Sequence, residues 1–356
     1  MNDIFRPLKL RDVELKNRIA MSPMCQYSSR DGFANEWHLV HLGSRAVGGA
    51  SLVMTEATAV SPEGRISIDD LGIWKEEHIS YLKKITDFIL QQHAVPGIQL
   101  AHAGRKSSRT SPWNGDRLLS ISEGGWEIFA PSAINFSDDT AIPSELTAQG
   151  IEKVISDFRS AAIRASKAGF RVAEIHAAHG YLVHEFLSPL TNKRKDDYGG
   201  SFENRIRILL DIVTAVRSVW PDGFPFFVRI SAIDWSDDGW TLEDSINLAT
   251  ILKGKGVDLL DCSSGGAVPG LTIPAGPGYQ VQFAEQIRKK SGIPTGAVGI
   301  ITTPAQAEAI ISSGHADIVS LAREFLRDPY FPLRAAREFG ADIQWPVQYE
   351  RGKRKK

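Results

Sequence analysis

The sequence predicts an α/β protein folded as a closed (β/α)8 TIM barrel, and three observations carry that prediction. Eight short β-branched runs recur along the chain, alternating with polar loops and amphipathic helical stretches. The runs are apolar almost throughout, as parallel strands covered on both faces should be. No Gly-x-Gly-x-x-Gly follows the first run, which weighs against an open dinucleotide-binding sheet at the start.

The first run is Arg18–Met24 (RIAMSPM), followed by a helical pattern over Trp37–Val47 and the second run, Ser51–Glu56. A helix over Glu76–Gln92 precedes the third run, Val95–Ala101, and one over Thr147–Lys167 precedes the fourth, Val172–His176. The pairs Glu203–Val219 with Phe226–Ser231, and Leu242–Lys253 with Val257–Ser263, give the fifth and sixth. Val281–Lys290 leads to Ile293–Gly299, and Pro304–Ser313, with proline in its first turn, leads to Asp317–Ala322. No linker divides the chain, so residues 1–356 are expected to form a single domain. One segment breaks the rhythm: 106–145 is rich in Ser, Gly, Pro and aromatics without a helical period. It reads as a long excursion after the third strand, a flap with a short hairpin, or else a surface insertion that only covers the barrel.

Composition bounds the function. A net charge of −1 argues against a general nucleic-acid or membrane-surface binder. Two cysteines, Cys25 and Cys262, are too few for a disulfide framework and point to a reducing compartment. The charged start lacks the apolar core of a signal peptide, and no apolar run is long enough to cross a bilayer, so the expected location is the cytoplasm. The basic ending, Arg351 to Lys356, reads for its lysines as a solvated tail.

Barrel enzymes place their chemistry at the carboxyl ends of the strands. There the first run offers Ser22-Pro23-Met24-Cys25-Gln26-Tyr27, the second Ala57, and the third Gln99 and His102. The fourth gives His176, His179 and Tyr181: two imidazoles and a phenol able to grip a carbonyl oxygen and deliver a proton, or simply to cap a strand. Gly296, Gly299 and Arg323, after the seventh and eighth runs, form a phosphate-binding pattern. Arg229 needs a buried partner, either a carboxylate such as Asp261 or a ring that becomes anionic on reduction. Gln99 suits an imide edge or a backbone partner, and Cys25 is more often a core residue than a reactive one. Phosphate donors, a glutamine, an arginine and a cysteine around one mouth fit flavin mononucleotide (FMN) best. Two rivals stand beside that reading. One is a metal-dependent hydrolase using His176 and His179 with Asp258 or Asp261; the other is a flavin-binding protein without turnover.

Motifs then connect the whole chain to a family. Asn17-Arg18-Ile19, Ser22 to Tyr27, Glu56-Ala57, Gly97 to Lys106, His176 to Leu182, Tyr198 to Arg205, Gly296 to Gly299 and Pro346 to Gly352 occur in order. In these the sequence resembles the old yellow enzymes, FMN-dependent ene-reductases that use NADPH, and specifically their cysteine-containing thermophilic-like bacterial subclass. The resemblance implies that Ser22, Pro23, Met24, Cys25, Ala57, Gln99 and Arg229 line the flavin ring, with Gly299, Ala322 and Arg323 at the phosphate. It implies that His176 and His179 bind the activating oxygen of an electron-poor alkene or nitro substrate. Tyr181 would donate the proton, Tyr27 would shape the pocket, and Cys25 would tune the flavin. Arg351, in the segment 340–356, would enter the site of a neighbouring subunit in a homodimer, with pairing of dimers into a tetramer left open. Two departures stand out: Ala322 occupies a position where glycine is usual, and Ser111–Glu127 is absent from shorter relatives.

Overall fold

A computed structural model describes residues 2–353. Eight parallel strands close into a barrel in sequential order: β1 (Ile19–Met21), β2 (Leu52–Ala59), β3 (Val95–Ala101), β4 (Val172–Ala177), β5 (Phe226–Ser231), β6 (Leu259–Ser263), β7 (Thr295–Ala297) and β8 (Ile318–Leu321). All eight expected runs become these strands. The helices α1 (Glu36–Val47), α2 (Ile79–Gln91), α3 (Ala148–Lys167), α4 (Phe202–Arg217), α5 (Leu242–Gly254), α6 (Val281–Ser291), α7 (Pro304–Ser312) and α8 (Phe331–Phe339) run around it.

Local chemistry starts and stops these helices. Asn35, Thr147, Ser201, Thr241 and Thr303 accept backbone N–H bonds at the amino termini of α1, α3, α4, α5 and α7, satisfying donors that a helix cannot bond internally. Gly292 and Gly340, both left-handed, end α6 and α8. The main core lies between strands and helices, where Phe158, Phe170, Phe186, Ile212 and Leu248 are fully buried.

A second apolar cluster fills the amino-terminal end of the barrel. Leu52, Val95, Val172, Phe227, Leu259 and Ile318 meet Leu10 and Leu15, which come from a small antiparallel pair, Leu8–Leu10 with Val13–Leu15. That hairpin is clamped in place: Arg11 Nε donates to Asp258 at 2.8 Å, and the Asp12 amide donates to the Gly223 carbonyl at 3.0 Å. The sequence reading took this stretch only as a charged terminus and missed the plug.

The excursion contains the expected hairpin, closed by Thr110 N to Arg117 O at 2.9 Å and Leu119 N to Ser108 O at 2.8 Å. It also carries a two-residue parallel pairing of Phe129–Ala130 with Ser144–Glu145. Backbone and side-chain contacts hold it to the loop after β2. Arg109 N donates to Ile66 O at 3.0 Å; Trp126 Nε1 donates to Glu63 O at 2.9 Å; and the Arg65 guanidinium lies 4.4 Å from the Trp126 ring and 5.3 Å from that of Trp74.

Candidate active site

Strand register assembles the barrel mouth. Gln99 on β3 stands opposite Glu174 on β4, His176 opposite Arg229 on β5, and Arg229 opposite Asp261 on β6. Gln99 Nε2 donates to Glu174 at 2.8 Å, so the glutamine's partner is a carboxyl rather than backbone. Arg229 Nη1 donates to Ser22 Oγ at 2.7 Å and lies 3.3 Å from Asp261. Its Nε has no hydrogen-bond partner among the described residues, nor has Asp261 Oδ1. A buried donor left in that state suits a ligand that accepts from it. Burial pushes the Glu174 carboxyl up to about 8; Asp261 adds to the shift, while Arg229 and Gln99 oppose it. Glu174 thus holds its proton at neutral pH and leaves Asp261 as the counter-ion of Arg229.

The loop after β4 carries the histidines. His179 sits in the left-handed region at φ 60°, an uncommon conformation for a residue with a side chain. Its amide donates to Ser231 Oγ at 2.9 Å, which pins the turn. His176 Nδ1 accepts from the Ala178 amide at 3.2 Å, so the neutral ring carries its proton on Nε2. His176 Nε2 lies 3.4 Å from His179 Nδ1, and His179 Nε2 lies 2.7 Å from Ser263 Oγ. Burial first, then nearby cationic groups including Arg229, hold both imidazoles well below the usual histidine range, so both are neutral. The Tyr181 ring stands edge-on to His176 at 5.0 Å, its phenol pushed up by burial. Lys106 donates to the carbonyls of His179 and Gly266, both at 2.8 Å, and tethers this loop to the one after β6.

Beside the histidines is the turn after β1. Glu56 lies at a bulge in β2, where the pairing with β3 shifts between Met54 and Ala57. Its carboxylate accepts from Gln26 N at 2.9 Å and lies 3.2 Å from His38 of α1. That grip fixes Cys25 and Tyr27 on either side. Burial, with Asp70 and Glu56 adding, raises the Cys25 thiol well above its usual value, so it is not a thiolate. Tyr27, at φ 46°, is raised chiefly by burial and has Cys25, Tyr181 and Asp70 as electrostatic neighbours. Sequence reasoning passed over Asp70, which burial pushes up to about 7 while Ser67 Oγ donates to it at 2.8 Å. No short-range pattern marked it.

Of the phosphate candidates, Gly299, Ala322 and Arg323 converge, whereas Gly296 lies within β7 beside Asp261. Gly299, Ala322 and Arg323 line a cavity of about 200 Å³ with Gln280, Val298 and Arg327. Gly299 is needed there: φ is 123°, and a Cβ would come 3.1 Å from Gln280 Nε2. Ala322 has φ −108°, so its methyl creates no left-handed strain. His102 lies elsewhere, its Nδ1 accepting from the Gly104 amide at 3.1 Å.

One candidate is displaced. Asp258 sits at the opposite end of the barrel, where it accepts from Arg11 and from Phe226 N at 2.9 Å, and it cannot join His176 and His179 around a metal. Asp261 does reach the mouth, where it serves Arg229. Arg351 lies in the turn Val347–Gly352, whose Tyr349 packs on Tyr330 with ring centroids 6.1 Å apart. Within one protomer it belongs to the α8 side rather than to the His176 loop.

Comparison with known proteins agrees with this geometry. Residues 3–341 match the model of the NADH:flavin oxidoreductase / NADH oxidase family. The NADPH dehydrogenase of Geobacillus thermodenitrificans is 52% identical over 98% of both chains, and that of Bacillus subtilis 50% over the same shares. Among solved structures, morphinone reductase superposes with a TM-score of 0.81 at 28% identity, covering 97% of this chain and 91% of its own. The old yellow enzyme homologue from Zymomonas mobilis gives 0.77 at 28% identity over 97% and 94%. Fold, mouth and relatives together define a flavin-dependent oxidoreductase built on a parallel barrel. The chain belongs to the NADH:flavin oxidoreductase / NADH oxidase family, the old yellow enzymes. It is an FMN-dependent NADPH oxidoreductase. The residues present fit that cofactor: an unpartnered Arg229 Nε at one end of the mouth, and the cavity at Gly299 and Arg323 at the other.

Proposed function

We propose that this enzyme reduces activated alkenes, namely α,β-unsaturated carbonyls, quinones and nitro compounds, with NADPH as the electron source. Ser22, Pro23, Met24, Cys25, Ala57, Gln99 and Arg229 would hold the flavin ring; Gly299, Ala322 and Arg323 would hold its phosphate. FMN, when bound, supplies a hydride taken from NADPH. The carrying observation is the pair of neutral histidines. His179 Nε2 is bonded to Ser263 Oγ at 2.7 Å, and its Nδ1 lies 3.4 Å from the proton-bearing Nε2 of His176. When the activating oxygen of the substrate arrives, His176 donates from Nε2, and His179, in the tautomer protonated on Nδ1, donates beside it.

As hydride reaches the β carbon, negative charge develops on that oxygen and both donors strengthen. Tyr181 then gives its phenolic proton to the α carbon, so hydride and proton together saturate the double bond. Its raised proton affinity suits a donor that must hold its proton until a strongly basic carbon appears. Tyr27 borders the pocket, and Arg229 balances negative charge on the reduced ring.

We also read the chain as one functional unit that works in the cytoplasm as a homodimer, with Arg351 reaching a second copy and pairing into tetramers open. Supporting this, Trp37 and Val40 on α1, Leu326, Val347 and Tyr349 are exposed apolar side chains on the α1 and α8 side. No helix among the described residues is long and apolar enough to cross a membrane.

Anaerobic stopped-flow mixing tests the reaction: NADPH should bleach the flavin and an enone should restore its colour. Replacing His176 and His179 together by alanine should lower enone reduction by at least the roughly 10²- to 10³-fold that the loss of one donor, worth about 3–4 kcal/mol at such a transition state, would cost. Wild-type rates in that variant would remove the oxygen-binding role.

A further inference from the structure

The excursion brings a tryptophan to the mouth. Trp113, in the turn Pro112–Asn114 at the tip of the hairpin, is 66% exposed, and its ring stands edge-on to Tyr27 at 5.8 Å. An exposed indole is held here by an unusually firm stem. Asn114 Nδ2 donates to Ser111 Oγ at 2.7 Å, and Ser111 is itself fully buried. Arg109 Nε donates to Asp116 at 2.7 Å, and Arg109 and Trp126 fasten the stem to the loop after β2. The same loop supplies Ile66 and Asp70, which border a narrow cleft with Tyr181. The hairpin is therefore anchored on the wall of the site, not draped over it.

Aromatic groups run in series from the histidines outward. His179 and His176 are 5.1 Å apart, and His176 and Tyr181 are 5.0 Å apart. Tyr181 and Tyr27 are electrostatic neighbours, and Trp113 follows Tyr27. Every member but the last is buried or partly buried; Trp113 alone offers most of its ring to solvent.

We propose that Trp113 and Tyr27 form an outer aromatic subsite that takes the distal ring of an extended planar acceptor, a fused bicyclic quinone or aryl-substituted enone. Its activating oxygen lies at His176 and His179. This rests on the reading of the histidines given above. A fused planar ring stacks on an indole face through buried area and dispersion, more strongly where it is electron-poor, and a preorganised tryptophan loses little freedom on contact. A small acyclic enal or a single phenol ring ends before the indole and gains nothing from it. Trp113 so acts on the choice of substrate and not on the chemistry.

The test separates the subsite from the reaction by using ligands that are not turned over. Oxidised holoenzyme is titrated with phenol and with 2-naphthol, following the flavin spectrum, in wild type, Trp113→Ala and Trp113→Phe. The indole being exposed, both variants should melt with the wild type. Trp113→Ala should weaken 2-naphthol roughly 3- to 10-fold and leave phenol within about twofold; Trp113→Phe should recover part of the loss. With acceptors, KM for a naphthoquinone should rise in Trp113→Ala while its kcat, and both constants for cyclohexenone, hold. Equal weakening of both phenols, or of neither, overturns the subsite. Failure of the wild type to reduce cyclohexenone would overturn the reaction instead and leave the binding result standing.

Discussion

At the scale of single residues, the site works through protonation states set by burial. Cys25 keeps its proton chiefly because its thiol is desolvated, with Asp70 and Glu56 adding to the cost of ionising it. A thiol in that state is a poor nucleophile, and the role we propose for it is to tune the flavin through polarisability. Cys25→Ala is therefore expected to shift the flavin reduction potential with turnover retained; complete loss of turnover, measured under anaerobic conditions, would assign it covalent work. Glu174 offers a different measurement. Its carboxyl goes from an ordinary value of 4.5 up to about 8 in the fold. Between those values the folded protein keeps a proton that the unfolded chain has released, so stability falls as pH rises through the window and levels off above it. The slope reaches at most about 1.4 kcal/mol per pH unit. Glu174→Gln can still accept from Gln99 and carries no titrating group. Its denaturation midpoint should lose less than that of the wild type between about pH 5.5 and about pH 7.5. Parallel losses in the two proteins would show that Glu174 ionises normally.

Between elements, the loops after β4 and β6 interlock. Gly180 has φ 70°, and a Cβ there would come 2.0 Å from the carbonyl oxygen of Gly266. Neither backbone can yield without moving His179, whose carbonyl shares Lys106 with that of Gly266. Gly180→Ala should lower stability by about 1–3 kcal/mol in thermal unfolding and reduce turnover beyond what the stability change explains. Unchanged kcat would mean that the histidines do not depend on this interlock. The elements themselves were largely legible in the sequence, because buried parallel strands are continuously apolar and helices on a barrel keep one apolar face. Glu56 with His38, and His184 beside Asp234 at 2.9 Å, were not legible as pairs. Their partners lie beyond any helical or strand period, and the packing of neighbouring helices, strands and loops brings them together. Trp113 was visible merely as an aromatic in an irregular segment, since nothing local to it states that the tip of that hairpin returns to Tyr27.

For the whole molecule, the carboxyl-terminal turn and the plugged end of the barrel have separate consequences. Truncation after Tyr349 removes Arg351 and should weaken both self-association and acceptor affinity. Sedimentation and steady-state kinetics identical to those of the intact chain would exclude Arg351 from either role. The plug has a simpler effect on traffic. With Leu10 and Leu15 seated among Leu52, Phe227 and Leu259, one end of the barrel is sealed by hydrocarbon. Everything that arrives or leaves must use the opposite rim. On the function proposed above, electron donor and electron acceptor would then take turns in a single doorway, each excluding the other while inside. The kinetic signature is a family of parallel reciprocal plots, with high concentrations of either reactant slowing the other.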